Sequence, residues 1–351
     1  MTEVDIIAVD PNVYQADDNQ YPDDWQSETT SIGSSIYRGL MENGRRYQSL
    51  RSDDYLLPVD DPSFETYEAA HLLAIIMDSE RDNPLFRAPI GENPTHILDL
   101  GTGKGNWAID VADMFPTATV RGVDLFPPPI TWMPPNCVLE VDDAIQPWTW
   151  KEPFDLIHLR IMTASWTDGE WDNIYKQCYD NLKPGAWIEQ LEALAPIGCD
   201  DGSLPKDSIL NSWGTTIMGS AERSGRGLDA MLTMTEGIRK AGFVDIHEKK
   251  YKWPIGPWPK DKQLKEAGMV NFQHWLSGLE GWCMYLLTKF GAPRPWTKEE
   301  VLVYVSSLRK ELQNPHYHSY VRSKRVWARK PFPEEVAALK KKAAVEIKRE
   351  E

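Results

Sequence analysis

The chain has little cysteine. Four residues, Cys137, Cys178, Cys199 and Cys283, are spread over 351 positions, and no two form a C-x-x-C pair. That spacing argues against a structural zinc site or a disulfide framework and fits a reducing compartment. No apolar run approaches the roughly 18 residues that a membrane span requires. The opening Met-Thr-Glu-Val-Asp has neither a basic region nor an apolar stretch after it, so secretion is not expected and a cytoplasmic location is. A strong basic cluster is also missing, which leaves nuclear entry undecided. The net charge of −15 offers no cationic surface for phosphates, so direct nucleic-acid binding is not expected.

What is present points to a globular protein with one large core, or a core with an appended subdomain. The acid is concentrated at one end: residues 1–37 hold eight Asp/Glu and no Lys/Arg. Residues 1–33 read as a flexible acidic segment, either a solvated tail or a candidate contact for a protein partner. Residues 332–351, with Lys340, Lys341, Lys342, Lys348 and Arg349, read as a charged terminal helix or tail.

Between these ends the pattern alternates. A short helix interrupted by Gly44 is expected over 34–50, and a second helix over 65–77. Strands are expected at 96–100, 119–124, 137–141, 154–159 and 186–193, with helices at 106–115 and 170–182. Short connections and nearly continuous apolar strands predict a parallel, doubly wound α/β sheet buried on both faces. Two helices follow over 206–242, then a strand at 243–251 and a proline-rich stretch, 253–259, suited to neither regular state. Helical segments at about 260–276, 280–290, 297–312 and 316–324 precede a last strand at 325–329. The segment 254–324 is therefore expected as a helical insertion before that last strand.

The stretch His96-Ile-Leu-Asp-Leu-Gly-Thr-Gly-Lys-Gly-Asn-Trp107 is the most informative. It reads as a strand, a glycine loop and a helix, the arrangement that brings backbone close to a nucleotide-like ligand. The third glycine of a dinucleotide fingerprint would fall on Asn106, and Lys104 is not followed by Ser or Thr as in a phosphate loop. The pattern Asp-x-Gly-x-Gly-x-Gly instead resembles the first motif of class I S-adenosylmethionine (SAM) methyltransferases. That resemblance implies SAM as cofactor, with Asp99, Gly101, Thr102, Gly103 and Gly105 around it. Asp124, with Leu125 after it, ends the second strand, where a carboxylate can accept both hydroxyls of a ribose. In such enzymes an acid and a small residue after the third strand hold the adenine edge, which suggests Asp143 and Ala144; an Asp there also suits a helix N-cap. Leu159 and Arg160 leave the fourth strand beside the methionine part of SAM or at the substrate mouth. His158 is a candidate base, and a buried strand histidine is equally a satisfied core residue. Glu189, Gln190 and Glu192 are expected at the same mouth, orienting a substrate hydroxyl or lining a wet cleft. The catalytic candidates are thus His158 and Glu192, and no metal site is expected.

Many segments taken in order extend the likeness. They include Glu42-Asn-Gly-Arg-Arg-Tyr47, Tyr55-Leu-Leu-Pro58 with His71, Trp132-x-Pro-Pro-Asn-Cys137 and Glu140-Val-Asp-Asp143. Pro147-Trp-Thr-Trp150, Ile157-His-x-Arg160, Asp200-Asp-Gly202, Gly256-Pro-Trp-Pro-Lys-Asp261 and Gly278-Leu-Glu-Gly281 complete the set. From about residue 34 to residue 331 the chain resembles the fungal LaeA-like methyltransferases of secondary metabolism. The resemblance implies a class I fold with SAM as cofactor and does not fix a substrate, since family members include small-molecule methyltransferases and a regulator of biosynthetic clusters. The expected reaction is methyl transfer to O or N of a small hydrophobic metabolite, with a regulatory protein of weak or no activity as the alternative. The chain departs from that pattern at Lys104, where Thr is usual, and at Asn106, where Ile is usual. It also departs at Phe126, at Pro127-Pro-Pro129, and at Thr66 and Ala70. Lys104 is expected to pair with the SAM carboxylate or to point to solvent. The 15 tryptophans are a rich supply, and Trp253, Trp258, Trp275 and Trp282 fall where a lid and acceptor pocket are expected.

Overall fold

The structure, a computed structural model, describes residues 34–338 and 341, apart from 53 and 131. The expected acidic segment 1–33 and most of the charged end lie outside these residues; 333–338 are helical. The described chain opens with helix α1 (Ser34–Arg38) and the hairpin strands β1 (Leu40–Glu42) and β2 (Arg45–Tyr47). This corrects the single helix expected over 34–50. Asn43 and Gly44 both take positive φ, 53° and 83°, which makes Asn-Gly a hairpin turn rather than a helix interruption. Helix α2 (Asp61–Met77) follows, capped by Asp60, which also accepts two 2.7 Å hydrogen bonds from Arg45.

The expected alternation then appears: β3 (His96–Leu100), α3 (Asn106–Met114), β4 (Thr119–Asp124), β5 (Cys137–Val141), β6 (Phe154–Arg160), α4 (Asp168–Asn181) and β7 (Leu182–Cys199). After α5 (Ile209–Arg223) and α6 (Ala230–Lys240) come β8 (Val244–Pro254), α7 (Lys262–Phe290), α8 (Lys298–Leu312) and β9 (Ser319–Arg329). Seven strands form one sheet in the order β5-β4-β3-β6-β7-β9-β8. It is parallel except for β9, which runs against both neighbours. Alternate strand residues feed opposite faces: Leu98, Leu100, Ile157 and Leu159 pack with α4 and α6. Ile97, Val120 and Leu156 pack against Trp107 and Val111 of α3 on the other face. Burial on both faces is why these strands read as apolar runs.

Three boundaries differ from expectation. The two helices expected at 260–276 and 280–290 are one 29-residue helix, α7. Its glycines stand at close approaches: a Cβ on Gly281 would lie 3.2 Å from Pro58. The segment 316–324 is not helical from 319 onward; Tyr320, Val321 and Ser323 are buried within β9 and pair with β7. Finally, β7 continues to Cys199, well past the expected 186–193. Helical segments stand between β8 and β9, but β9 begins at Ser319, inside the insertion expected over 254–324. Helices α7 and α8 join α2 and α5 in a second core around Leu73, Trp213, Leu279, Cys283 and Val305.

Candidate active site

Strand order reverses at β3, whose neighbours are β4 on one side and β6 on the other. A crevice opens beyond the carboxyl ends at such a switch point. Here it becomes a cleft of ≈ 1820 Å³ counted to its open mouth.

At the sheet end of the cleft lie Gly101, Thr102 and Gly103 of the loop after β3, then Asp124 and Leu125 after β4, and Asp143 and Ala144 after β5. Gly101, Gly103 and Gly105 hold φ of 68°, 58° and 86°, the left-handed region that L residues seldom enter. A Cβ on Gly101 would also collide with Met162. The loop is tied down by Asp124, whose carboxylate accepts from the Gly103 amide at 2.7 Å and from the Leu125 amide at 2.8 Å. Burial pushes the Asp124 carboxyl up to about 6, against the pull of amides 103, 125 and 126. Asp143 sits 3.7 Å from Arg51, which also donates to Glu170 at 2.7 Å and so fastens the segment before α2 over this end.

Arg160 lines the cleft at the exit of β6. Its guanidinium donates to His71 Nδ1 at 3.0 Å, and His71 Nε2 donates to Asp110 at 2.9 Å. Burial lowers Arg160 to about 10, which still leaves it a cation at neutral pH. Among the described residues no carboxylate forms an ion pair with it. A partly buried cation that Asp99 and Asp110 reach only at a distance, the latter through His71, is suited to an anionic ligand group.

The other expected residues lie behind the wall. Asp99 is buried and bonds Thr102 Oγ1 and His158 Nδ1, each at 2.8 Å. It therefore organises the loop from beneath. Leu159 is core, and Gly105 stands at the N-terminus of α3, against Ile130 and Leu139. His158 is fully buried and stacks flat on Trp107, with centroids 3.8 Å apart. This places the candidate base in the core, where Nδ1 is held by Asp99 and Nε2 has no hydrogen-bond partner among the described residues.

Glu192 is also fully buried, because β7 runs on beyond it. It accepts from the Met162 and Thr163 amides at 3.0 and 3.2 Å, and burial pushes it up to about 7. The loop it braces carries two residues at positive φ, Ile161 (53°) and Ala164 (64°). A β-branched residue is strained in that conformation. Glu192 thus shapes the cleft wall and does not reach the cleft itself. Glu189 accepts from the Arg87 and Ala88 amides, each at 2.8 Å, and pairs with Arg325, while Gln190 accepts from Tyr175 at 2.8 Å; neither is at the mouth.

The helical end of the cleft is aromatic. Trp213 of α5, Trp253 of β8, and Trp275 and Trp282 of α7 line it. Trp213 and Trp275 lie 5.2 Å apart edge to face, and Trp275 and Trp282 5.4 Å. Trp258, also expected there, instead donates to the Ser319 carbonyl at 3.0 Å, away from the cleft. Lys104 pairs with Glu68 on α2 and does not line the cleft. Sequence reasoning missed Arg51, Tyr67, Trp213, Asn271 and His274 among the lining residues. No spacing marks them, because they come from four separate segments that meet only in the fold.

A family model described as a methyltransferase domain matches residues 67–244. Methyltransferase pytC of Aspergillus terreus is 33% identical over 326 residues, covering 93% of this chain and 98% of that protein. The secondary metabolism regulator LAE1 of Cochliobolus heterostrophus is 34% identical over 299 residues, covering 83% of this chain and 94% of LAE1. The secondary metabolism regulator laeA of Aspergillus fumigatus is 31% identical over 312 residues, covering 87% and 80%. With the glycine loop, the strand-end acids and the switch-point cleft, these likenesses place the chain in the LaeA-like family of class I methyltransferases, whose cofactor is S-adenosylmethionine.

Proposed function

We propose that this protein methylates an oxygen or nitrogen of a small, hydrophobic metabolite, with residues 34–331 as the catalytic unit. One observation carries the reading: a single cleft joins the glycine loop to an apolar chamber walled by tryptophan. Asp124 would hold the ribose of SAM, Asp143 and Ala144 the adenine, and Arg160 the carboxylate of the methionine part. Glycines 101 and 103 leave the backbone bare where that ligand passes. The cofactor supplies a methyl group on an already electrophilic sulfonium, so the protein's work is alignment and exclusion of water. The tryptophan walls suit a flat acceptor and hold it in a dry space beside the loop. Four free cysteines support a cytoplasmic setting. Calorimetry with SAM, then mass analysis of a metabolite library for gain of one methyl group, tests the reading; no SAM binding would sink it.

The likeness to LAE1 and laeA supports a second reading, a regulator of secondary metabolism that keeps the fold and the SAM site. Product formation at the rate of SAM turnover separates the two.

Two expected results follow for the cofactor. Ribose hydroxyls donate to an ionised Asp124. SAM affinity is therefore expected to be full well above the Asp124 pKa and to fall as pH drops through about 6. Titrations across that range check it, and Asp124→Asn should flatten the profile. Lys104 reaches an exposed carboxylate outside the cleft. Lys104→Thr is expected to change SAM affinity less than about twofold and stability by about 0–1 kcal/mol, measured by calorimetry and urea unfolding.

A further inference from the structure

Three polar atoms at the aromatic end of the cleft are not explained by cofactor binding. The indole nitrogens of Trp213 and Trp253 are buried, and neither has a hydrogen-bond partner among the described residues. Both side chains are at least nine-tenths buried, with relative exposures of 3% and 4%. A buried N–H without a partner costs about 1–3 kcal/mol, and an indole can only donate. Neither indole nitrogen meets an acceptor among the described residues.

The third atom is on His274. Its Nδ1 lies 3.0 Å from the Thr66 carbonyl. A carbonyl cannot donate, so Nδ1 carries the proton. Burial lowers the ring to about 4, so the ring is neutral at physiological pH. Nε2 is then a bare lone pair with no partner among the described residues, on a side chain that lines the cleft. Its ring packs 5.0 Å from Trp282. Asn271, one turn before it, donates to the Trp253 and Pro254 carbonyls at 3.2 and 2.8 Å, which locks this part of α7 to β8. The aromatic end thus holds two unpartnered indole donors and the His274 acceptor on apolar walls, and the same cleft also carries unpartnered hydroxyls on Tyr67 and Thr163.

We propose that the acceptor is a neutral, planar molecule bearing both a hydroxyl and a carbonyl oxygen, and that His274 is the catalytic base that takes the hydroxyl proton. The carbonyl accepts from an indole N–H of Trp213 or Trp253. The hydroxyl donates to His274 Nε2. As the proton passes to Nε2, an oxygen lone pair forms the new C–O bond to the methyl carbon and the C–S bond breaks. The bonding pair leaves with sulfur, so the sulfonium becomes a neutral thioether and the positive charge resides on the imidazolium. Water then takes the proton. The inference rests on the methyltransferase reading and narrows it from O or N to O.

The test uses the full chain and three probes: para-hydroxyacetophenone, phenol without the carbonyl, and para-methoxyacetophenone without the hydroxyl proton. Binding is followed by quenching of tryptophan fluorescence. The first probe is expected to bind about fivefold more tightly than either of the others, the value of one hydrogen bond. His274→Asn keeps an amide donor for the Thr66 carbonyl and replaces the basic Nε2 with a shorter, non-basic amide oxygen that does not reach its position. It should melt at the wild-type temperature and bind SAM normally. It should also lose the preference for the hydroxyl over the methoxyl probe, and lower kcat about a hundredfold or more on whichever acceptor the library screen yields. Normal SAM binding with no discrimination among the probes, or an active His274→Asn variant, overturns this inference and leaves the methyltransferase reading standing. Absence of SAM binding by the wild type removes the reading itself.

Discussion

Asp124→Ala is expected to weaken SAM binding at least tenfold and, at full effect, about a hundredfold. A hydrogen bond to a charged group contributes about 1.5–3 kcal/mol, and 1.4 kcal/mol is a factor of ten in affinity. Two ribose hydroxyls on one carboxylate give the upper part of that range. The substitution also releases the Gly103 and Leu125 amides, both held by the same side chain, so the glycine loop loses its tether along with the ligand contact. Asp124→Asn separates these effects. Its amide oxygen still accepts one of the two amides, but it carries no charge. Calorimetry at neutral pH should rank wild type above Asn and Asn above Ala. Equal affinity for all three would remove Asp124 from the site.

The second large effect concerns folding. Arg325 and Glu189 face each other across β9 and β7 with 2% and 0% of their side chains exposed. Arg325 also lies 3.2 Å from Asp78, and Asp78 accepts from Tyr251 and Lys249 at 2.8 and 2.9 Å. Removing one member of such a pair strands the other charge in the core. Arg325→Ala is expected to destabilise the protein by about 3–5 kcal/mol, read from urea unfolding. Because part of the penalty comes from the orphaned charge, Arg325→Met combined with Glu189→Met should recover part of it, the rest being the cost of leaving the Arg87 and Ala88 amides without their acceptor. If the double variant is as unstable as the sum of its parts, the cost lies in packing and not in charge.

The central sheet was legible because its strands are buried on both faces and so stand out as apolar runs between glycine and proline stops. The hairpin at 40–47 was misread although Asn43-Gly44 is a strong hairpin signal. The strands around it are only three residues long, too short to show a period. The expected helices stop at 276 and resume at 280, on either side of Gly278, and glycine weakens isolated helices. In the fold the helix runs on, with Gly278 close against Trp282 and Gly281 close against Pro58 and Arg45. The residues at the sheet end of the cleft were legible because a glycine loop and strand-end acids are local in sequence. His158 and Glu192 were chosen because titratable groups near strand ends attract attention. The chain length of β7, which buries Glu192, and the flat stack on Trp107, which buries His158, are tertiary facts. His274 had no local mark. Its importance comes from the Thr66 carbonyl, 208 residues away.

The long helix α7 has a consequence for how this fold can diversify. It contributes Asn271, His274, Trp275 and Trp282 to the acceptor chamber and none of the glycine-loop or strand-end residues. Substitutions along one face of this rod can therefore reshape much of the chamber, whose remaining tryptophans come from α5 and β8, while the glycine-loop end of the cleft stays unchanged. Related chains that share the glycine-loop end can then differ in what they methylate, and a designer who wants a new acceptor can confine a library to that face.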